Sequence, residues 1–363
     1  MEDSFEFTYP KPYQVFMAIQ TNLCVDYVSR QDLTHCPPPW WQSVLGIAAF
    51  AAAPELSSDF DIPIVPVGLQ ELGTTRATCE VWRAGGPLSS GHTGRVHYRA
   101  GECGLFGRVV IAESDPSISG NGDPTTIQSA TSEAYAEIFA AMDRLGYPHL
   151  LRIWNYLPDI NQKTPQGERY RQFNSARRKA FLRSQRAVQG EVPAASALGS
   201  TSGNPLIIYF LASPTPGRAI ESPRQTSAYR YPSEYGPASP TFSRAVISPW
   251  LLGECLLISG TASIVGHRTV HVGDVTAQTG ESMENISALV DAANDAIGRS
   301  EYSIDALRYK VYVRHARDLE AVRRKLANRL CADLPVAYLQ ADICRDDLLV
   351  EIEAFGRPIS WSG

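Results

Sequence analysis

No two of the seven cysteines form a C-x-x-C pair, and their number is odd. That argues against a paired-cysteine zinc module and a disulfide framework, and it fits reduced thiols. Neither sign of charge dominates. Lys and Arg number 33 against 38 Asp and Glu, a net charge of −5, so there is no basic field of the kind that recruits nucleic acid. Long hydrophobic runs are also missing; the longest, near Val44 to Ala53, is too short to span a bilayer. The chain opens Met1-Glu2-Asp3-Ser4, without the positive start of a signal peptide. The expectation is a cytoplasmic protein with neither a nucleic-acid nor a membrane partner. What is present is ordinary: 363 residues, 44% hydrophobic and 20% charged, enough for one large domain or two of usual size.

Along the chain, residues 1–125 read as strands and turns, with strands expected at Ile62–Val67, Thr78–Arg83, Gly94–Arg99 and Leu105–Ile111. His92 and His97 flank one of them, and with no cysteine or carboxylate cluster nearby no metal is expected there. A helix is predicted over Ser129 to Leu145, closed by Gly146 and Pro148, and a strand over Leu150 to Leu157. The basic stretch Glu168 to Phe181 reads as a helix. Its Arg169, Tyr170 and Arg177 are either a solvated face or part of an anion site, since arginine forks match carboxylates. Residues 187–205, rich in Ala, Ser and Gly, read as a loop or domain boundary. Glu221 to Pro237 carries three prolines and is expected to be a polar loop presenting Arg224, Tyr229 and Arg230. Cys255 to Ser263 reads as a strand, in which Gly260 marks a bulge or the close approach of a ligand. His267 and His271 are spaced H-x-x-x-H on a strand or turn, where zinc is not expected. Helices over Glu281–Ile297 and Ala316–Leu330, with a strand over Leu307–Arg314 between them, complete a repeat of helix followed by strand. Two related α+β halves follow, residues 1–190 and 200–363, with mixed sheets and helices on one face of each.

The last long stretch, Tyr338 to Ala354, reads as strand, turn, strand. Strict alternation puts Leu349, Glu351 and Glu353 on one face and Leu348, Val350, Ile352 and Ala354 on the other. The two carboxylates then belong either to a solvated strand face or to a cleft. In the second case Glu351 is a general acid, with Cys344 and Arg345 beside it in the same hairpin.

Leu349-Val350-Glu351-Ile352-Glu353-Ala354 resembles the closing strand of the RidA (YjgF) family, and Ile258-Ser259-Gly260-Thr261-Ala262 resembles that family's early Ser-Gly strand. The chain as a whole resembles the chorismatases. The motifs are Arg152-Ile153-Trp154-Asn155-Tyr156-Leu157-Pro158-Asp159-Ile160-Asn161, Arg169-Tyr170-Arg171-Gln172-Phe173-Asn174, Arg224 to Pro232, Gly260 to His267, and Gln340-Ala341-Asp342-Ile343-Cys344-Arg345.

That resemblance implies two RidA-like halves, chorismate as the small-molecule substrate, no cofactor, no metal, and release of pyruvate. It implies Glu351 as the acid that protonates the enolpyruvyl methylene, with Glu353 second in rank. Arg152, Tyr156, Arg169, Tyr170, Arg177, Arg224, Tyr229, Arg230, Gln340 and Arg345 are the implied substrate-binding residues. Cys344, seven residues before the acid, and Gly260 resemble the branch that forms 3-hydroxybenzoate through an arene-oxide-like intermediate. The alternatives are the hydrolytic branch, which yields a dihydroxycyclohexadiene carboxylate, a RidA-like module that binds carboxylates without turnover, and an imine deaminase. Both a monomer and a homotrimer stay open.

Overall fold

The computed structural model describes residues 23–50 except 34 and 37, then 61–73, 78–113, 125–250 and 253–359 except 333. The N-terminal tetrapeptide and residues 51–53 of the longest hydrophobic run lie outside them.

The described residues begin with a small sheet of β1 (Cys24–Ser29), β2 (Val44–Ala49), β3 (Ile64–Pro66) and β5 (Thr78–Arg83), in the order β1-β5-β2-β3. A two-residue strand, β4 (Gln70–Glu71), leaves it to join another sheet. The first half proper contains β6 (Ser89–Thr93), β7 (Val96–Gly101), β8 (Gly104–Ile111), helix α1 (Thr126–Leu145) and β9 (His149–Pro158). It continues with the short hairpin β10 (Lys163–Thr164) and β11 (Gly167–Glu168), helix α2 (Arg169–Arg183), β12 (Ala194–Ser200) and β13 (Leu206–Ser213). The second half contains β14 (Arg218–Ile220), β15 (Ala245–Trp250), β16 (Gly253–Ala262) and the hairpin β17 (Ile264–Val265) and β18 (Arg268–Thr269). After it come helix α3 (Val275–Ile297), β19 (Arg308–Val313), helix α4 (Leu319–Ala327), β20 (Val336–Gln340) and β21 (Val350–Gly356).

Strand for strand, the two large sheets have one topology. Their orders are β12-β9-β13-β8-β7-β6 and β20-β19-β21-β16-β15-β14, with β4 added outside β14's opposite edge, on β20. In each, a parallel pair (β9 with β12, β19 with β20) is bridged by a helix, and the closing strand returns antiparallel between the older strands. This is the doubled α+β arrangement that the repeat implies. The chain passes from one sheet to the other between Ser213 and Arg218.

Local chemistry sets the helix ends. Thr125 and Gln128 form a reciprocal capping box at the start of α1, and Gly146 closes it in the left-handed region at φ 80°. Asp274 caps α3 through the Ala277 amide, and Gly298 closes it at φ 69°. Each helix buries an apolar stripe: Ile127, Ala134, Ile138 and Met142 on α1, and Met283, Ile286, Leu289 and Ala293 on α3.

Alternation along the strands of the two large sheets separates three cores, and the small sheet adds a fourth around Trp40, Ile47 and Val81. On β13, Ile208 and Phe210 pack with the α1 and α2 stripe, and Ile207, Tyr209 and Leu211 face the opposite way. On β21, Val350, Ile352 and Ala354 pack under α3 and α4, and Phe355 faces away. The two outward faces meet, so the layers run helix, sheet, sheet, helix. Trp82, Trp154, Tyr156, Tyr209, Tyr312 and Phe355 fill the seam between the sheets.

Three expectations need correction. Residues 194–200 are a buried strand, not a loop, because small residues let β12 lie flat against β16. The last stretch is not a hairpin: β19 lies between β20 and β21, parallel to one and antiparallel to the other. The face bearing Glu351 and Glu353 is not solvated. Both are about 95% buried, because the other half's sheet covers them.

Candidate active site

A cavity of about 580 Å³ opens where α2's start, the loop before β15, the β17–β18 hairpin and the turn before β21 converge. That size suits a small organic ligand. Glu351, Gly260, Cys344 and Tyr170 line it, with Arg244, Arg345, Tyr231, Tyr235 and Phe242 around them. Lys163, Glu168, Arg171, Arg268, Asp346 and Asp347 add charged groups to the lining.

Glu351 sits directly over Gly260. A Cβ on residue 260 would lie 1.8 Å from Glu351 Oε1. The ladder between β16 and β21 shifts register between Ile258 and Thr261, which opens this space. Among the described residues no hydrogen bond reaches the Glu351 carboxyl. Burial, and then the negative charge of Glu353, push its pKa up to about 8, against smaller opposing effects of Arg152 and Arg244. The group therefore holds a proton near neutral pH and faces the cavity.

Glu353, two residues on, is the opposite case. Burial alone would raise it, but Lys310 and Arg152 outweigh burial and hold it ionised below the usual carboxylate range. Its oxygens accept from Lys310 Nζ at 2.7 Å, Arg152 Nη2 at 2.8 Å, Trp154 Nε1 at 2.8 Å and Ser196 Oγ at 2.5 Å. Lys310 Nζ also reaches Glu80 Oε2 at 2.5 Å, and Glu80 accepts from Trp82 and Tyr209. Two cations and two anions thus balance in the seam. Ser196 links this network to the acid's floor by accepting from the Gly260 amide at 3.1 Å.

Cys344 is half-buried, and its thiol is pushed up to about 12 by burial and by Glu351, so it stays protonated. Burial and the neighbouring Cys344 likewise raise the Tyr170 phenol. Two guanidinium groups come to the cavity with hydrogen-bonding capacity left over. Arg244 donates through Nη2 to Thr226 O and Tyr231 Oη, both at 2.8 Å, and its buried Nε has no partner. Arg345 donates through Nη1 to His267 O at 3.0 Å and stacks on Tyr235 at 4.1 Å, and its Nη2 has no partner. A buried donor without a partner is costly, and an anionic ligand relieves that cost.

Of the residues singled out in the sequence, the cavity gathers Glu351, Cys344, Gly260, Tyr170 and Arg345. The structure places the others elsewhere. Arg152 is held by Glu353, and Tyr156 meets Tyr312 hydroxyl to hydroxyl. Arg169 pairs with Glu113 and donates to Pro158 O. Arg177 is buried against the rings of Tyr135 and Phe181. Arg224 pairs with Glu281 at 2.6 Å, Tyr229 is buried under Arg230, Arg230 is exposed, and Gln340 donates to Arg314 O. Sequence reasoning missed Arg244, Tyr231, Tyr235 and Phe242. The two tyrosines lay inside the expected loop. Arg244 had no local signal, because its place depends on contacts that it makes, just before β15, with Thr226 and Tyr231 of that loop.

Comparison with known proteins follows the same lines. A family model described as "Chorismatase FkbO/Hyg5-like, N-terminal" matches residues 80–212. A protein of Streptomyces rapamycinicus named "Chorismatase" is 39% identical over 281 residues, covering 76% of this chain and 80% of the relative. A Streptomyces hygroscopicus protein named "3-hydroxybenzoate synthase" is 33% identical over 334 residues, covering 87% and 92%. A crystal structure of a chorismatase superposes with TM-score 0.81 at 32% identity, over 93% of this chain and 99% of that one.

Proposed function

The chain belongs to the chorismatase family, and from that premise we propose that it converts chorismate to 3-hydroxybenzoate and pyruvate with no net water. The observation that carries this reading is the Glu351 carboxyl. It keeps its proton near neutral pH and lies over Gly260 in a cavity that also holds Cys344, Arg244 and Arg345.

Chorismate presents two carboxylates, an enolpyruvyl ether at C3 and a hydroxyl at C4. Arg244 and Arg345, both in the cavity lining, take the carboxylates. Glu351 gives its proton to the terminal methylene carbon, and the ether becomes an oxocarbenium ion. The C4 hydroxyl oxygen then bonds to C3 as the C3–O ether bond breaks. That electron pair leaves with pyruvate, and the hydroxyl proton returns to the Glu351 carboxylate. The resulting epoxide opens at C4–O as its oxygen takes the Cys344 proton, and the ring becomes aromatic as C3 gives its proton to the Cys344 thiolate so formed. Cys344, a neutral thiol in the cavity lining, serves as that donor. A relative named "3-hydroxybenzoate synthase" supports this branch over the hydrolytic one.

The test is product analysis in heavy-oxygen water. Purified protein and chorismate should give pyruvate and an equimolar meta-hydroxybenzoate without label in the ring product. A labelled diol, one water heavier, would move the chain to the hydrolytic branch. No pyruvate at all would leave a carboxylate-binding module. In the expected case Cys344→Ser should keep most pyruvate release while lowering the aromatic share of the product.

A further inference from the structure

His92 on β6 and His97 on β7 are direct cross-strand partners, and Asp61, 31 residues earlier, reaches the same spot. One nitrogen of each ring and a carboxylate oxygen all lie within 4.8 Å of one another. The Asp61 oxygens stand 3.0 Å from His97 Nε2 and 3.8 Å from His92 Nε2. His97 is 93% buried; its Nδ1 has no hydrogen-bond partner, and its Nε2 faces the Asp61 carboxylate. A buried imidazole left in that state is costly unless something binds it. None of the three residues lines the cavity described above.

We propose that Asp61, His92 and His97 form a binding site for a borderline divalent transition metal such as Ni²⁺, Zn²⁺ or Co²⁺. Two imidazoles and one carboxylate are the donor set such ions prefer. Mg²⁺ and Ca²⁺ are disfavoured because they want a shell of oxygens, and Arg99 and Arg108 place positive charge beside Asp61 that weakens its pull on any cation. Binding then rests on the lone pairs of the rings more than on charge. The rings now stack 4.1 Å apart and 13° from parallel, so one must turn to bring both lone pairs onto an ion. His92, 60% exposed, is free to do so, whereas His97 is held. The metal would tie the segment leading into β3 to the β6–β7 hairpin, and so join the small sheet to the first large one.

Isothermal titration of the full chain with Ni²⁺ tests this. One ion per chain is expected, bound equally well after Cys331→Ser, which removes an exposed thiol from consideration. His92→Ala and Asp61→Asn change side chains that are about 60% exposed, so the fold stays intact and the affinity should drop at least tenfold. Ni²⁺ should also raise the thermal midpoint of the unmodified chain and not that of the variants. No one-site binding, unchanged affinity in both variants, or equal binding of Mg²⁺ would overturn the proposal.

Discussion

The carboxyl of Glu351 occupies the space a side chain at residue 260 would fill, 1.8 Å from the position of a Cβ. Acid and glycine are therefore one unit, the glycine giving the acid its place. Gly260→Ala should push the carboxyl aside while leaving the fold intact, since the displaced atoms end a flexible side chain. A shift on the scale of 1 Å costs on the order of 100-fold in rate. Steady-state kinetics beside a thermal melt checks this, and an alanine variant with unchanged turnover would contradict it.

The proton on Glu351 sets a pH signature. With its pKa near 8, the acid form dominates below that pH, so kcat/KM should be flat near neutrality and fall about tenfold per unit above about pH 8. Glu351→Gln should lose roughly 10²- to 10⁴-fold in turnover. A fall in rate that instead began near pH 5 would mean the carboxyl is not the donor.

The same shift carries a stability cost of known sign. A carboxyl whose folded pKa exceeds its unfolded value contributes stability below the unfolded pKa, and that contribution is lost as pH rises through the folded pKa. The cost accrues at up to about 1.4 kcal/mol per pH unit between about 4.5 and 8. Denaturant unfolding should therefore find Glu351→Gln more stable than the native chain at pH 8, and the two alike at pH 4.

Arg244 and Arg345 should act on binding. Hydrogen bonds to charged groups contribute about 1.5–3 kcal/mol. Arg244→Lys keeps the charge and loses the fork, and KM for chorismate should rise roughly 10- to 100-fold with a smaller change in kcat. An unchanged KM in both Arg244→Lys and Arg345→Lys would remove them as carboxylate holders.

Lys310 tests the seam. It is the shared counter-ion of Glu80 and Glu353, and Lys310→Met would leave two buried carboxylates short of charge. Breaking such a pair costs about 3–5 kcal/mol. A loss below about 1 kcal/mol by denaturant unfolding would show that the network relaxes.

Much of this was legible from residue order. Gly146 marked a helix end, alternation put Glu351 and Glu353 on one face, and Gly260 flagged a close approach. What alternation could not reveal was the cover on that face, which comes from a sheet some 150 residues earlier in the chain. The partners of Arg152 and Tyr156, which the resemblance implies as substrate ligands, were likewise out of reach: Glu353 and Tyr312 lie 201 and 156 residues away. Arg244 and the Asp61–His92–His97 group were hidden in the same way, by the distance in sequence between neighbours in space.

The matching sheet orders have a consequence for how such a site can arise. With Arg152 set against Arg308 and Tyr156 against Tyr312, the residue opposite Tyr156 is Ile207 and the one opposite Tyr312 is Glu351. Two identical subunits would repeat every charge on both sides of their seam, so Glu353 and its counterpart would both need cations from a shared supply. Joined in one chain, the halves are free to differ. Tyr209 and Trp154 stand where Glu353 and Lys310 do in the other half, so each charge of the seam occurs once and meets its opposite. The linkage turns a symmetric contact into a complementary one, with a single acid left at its edge.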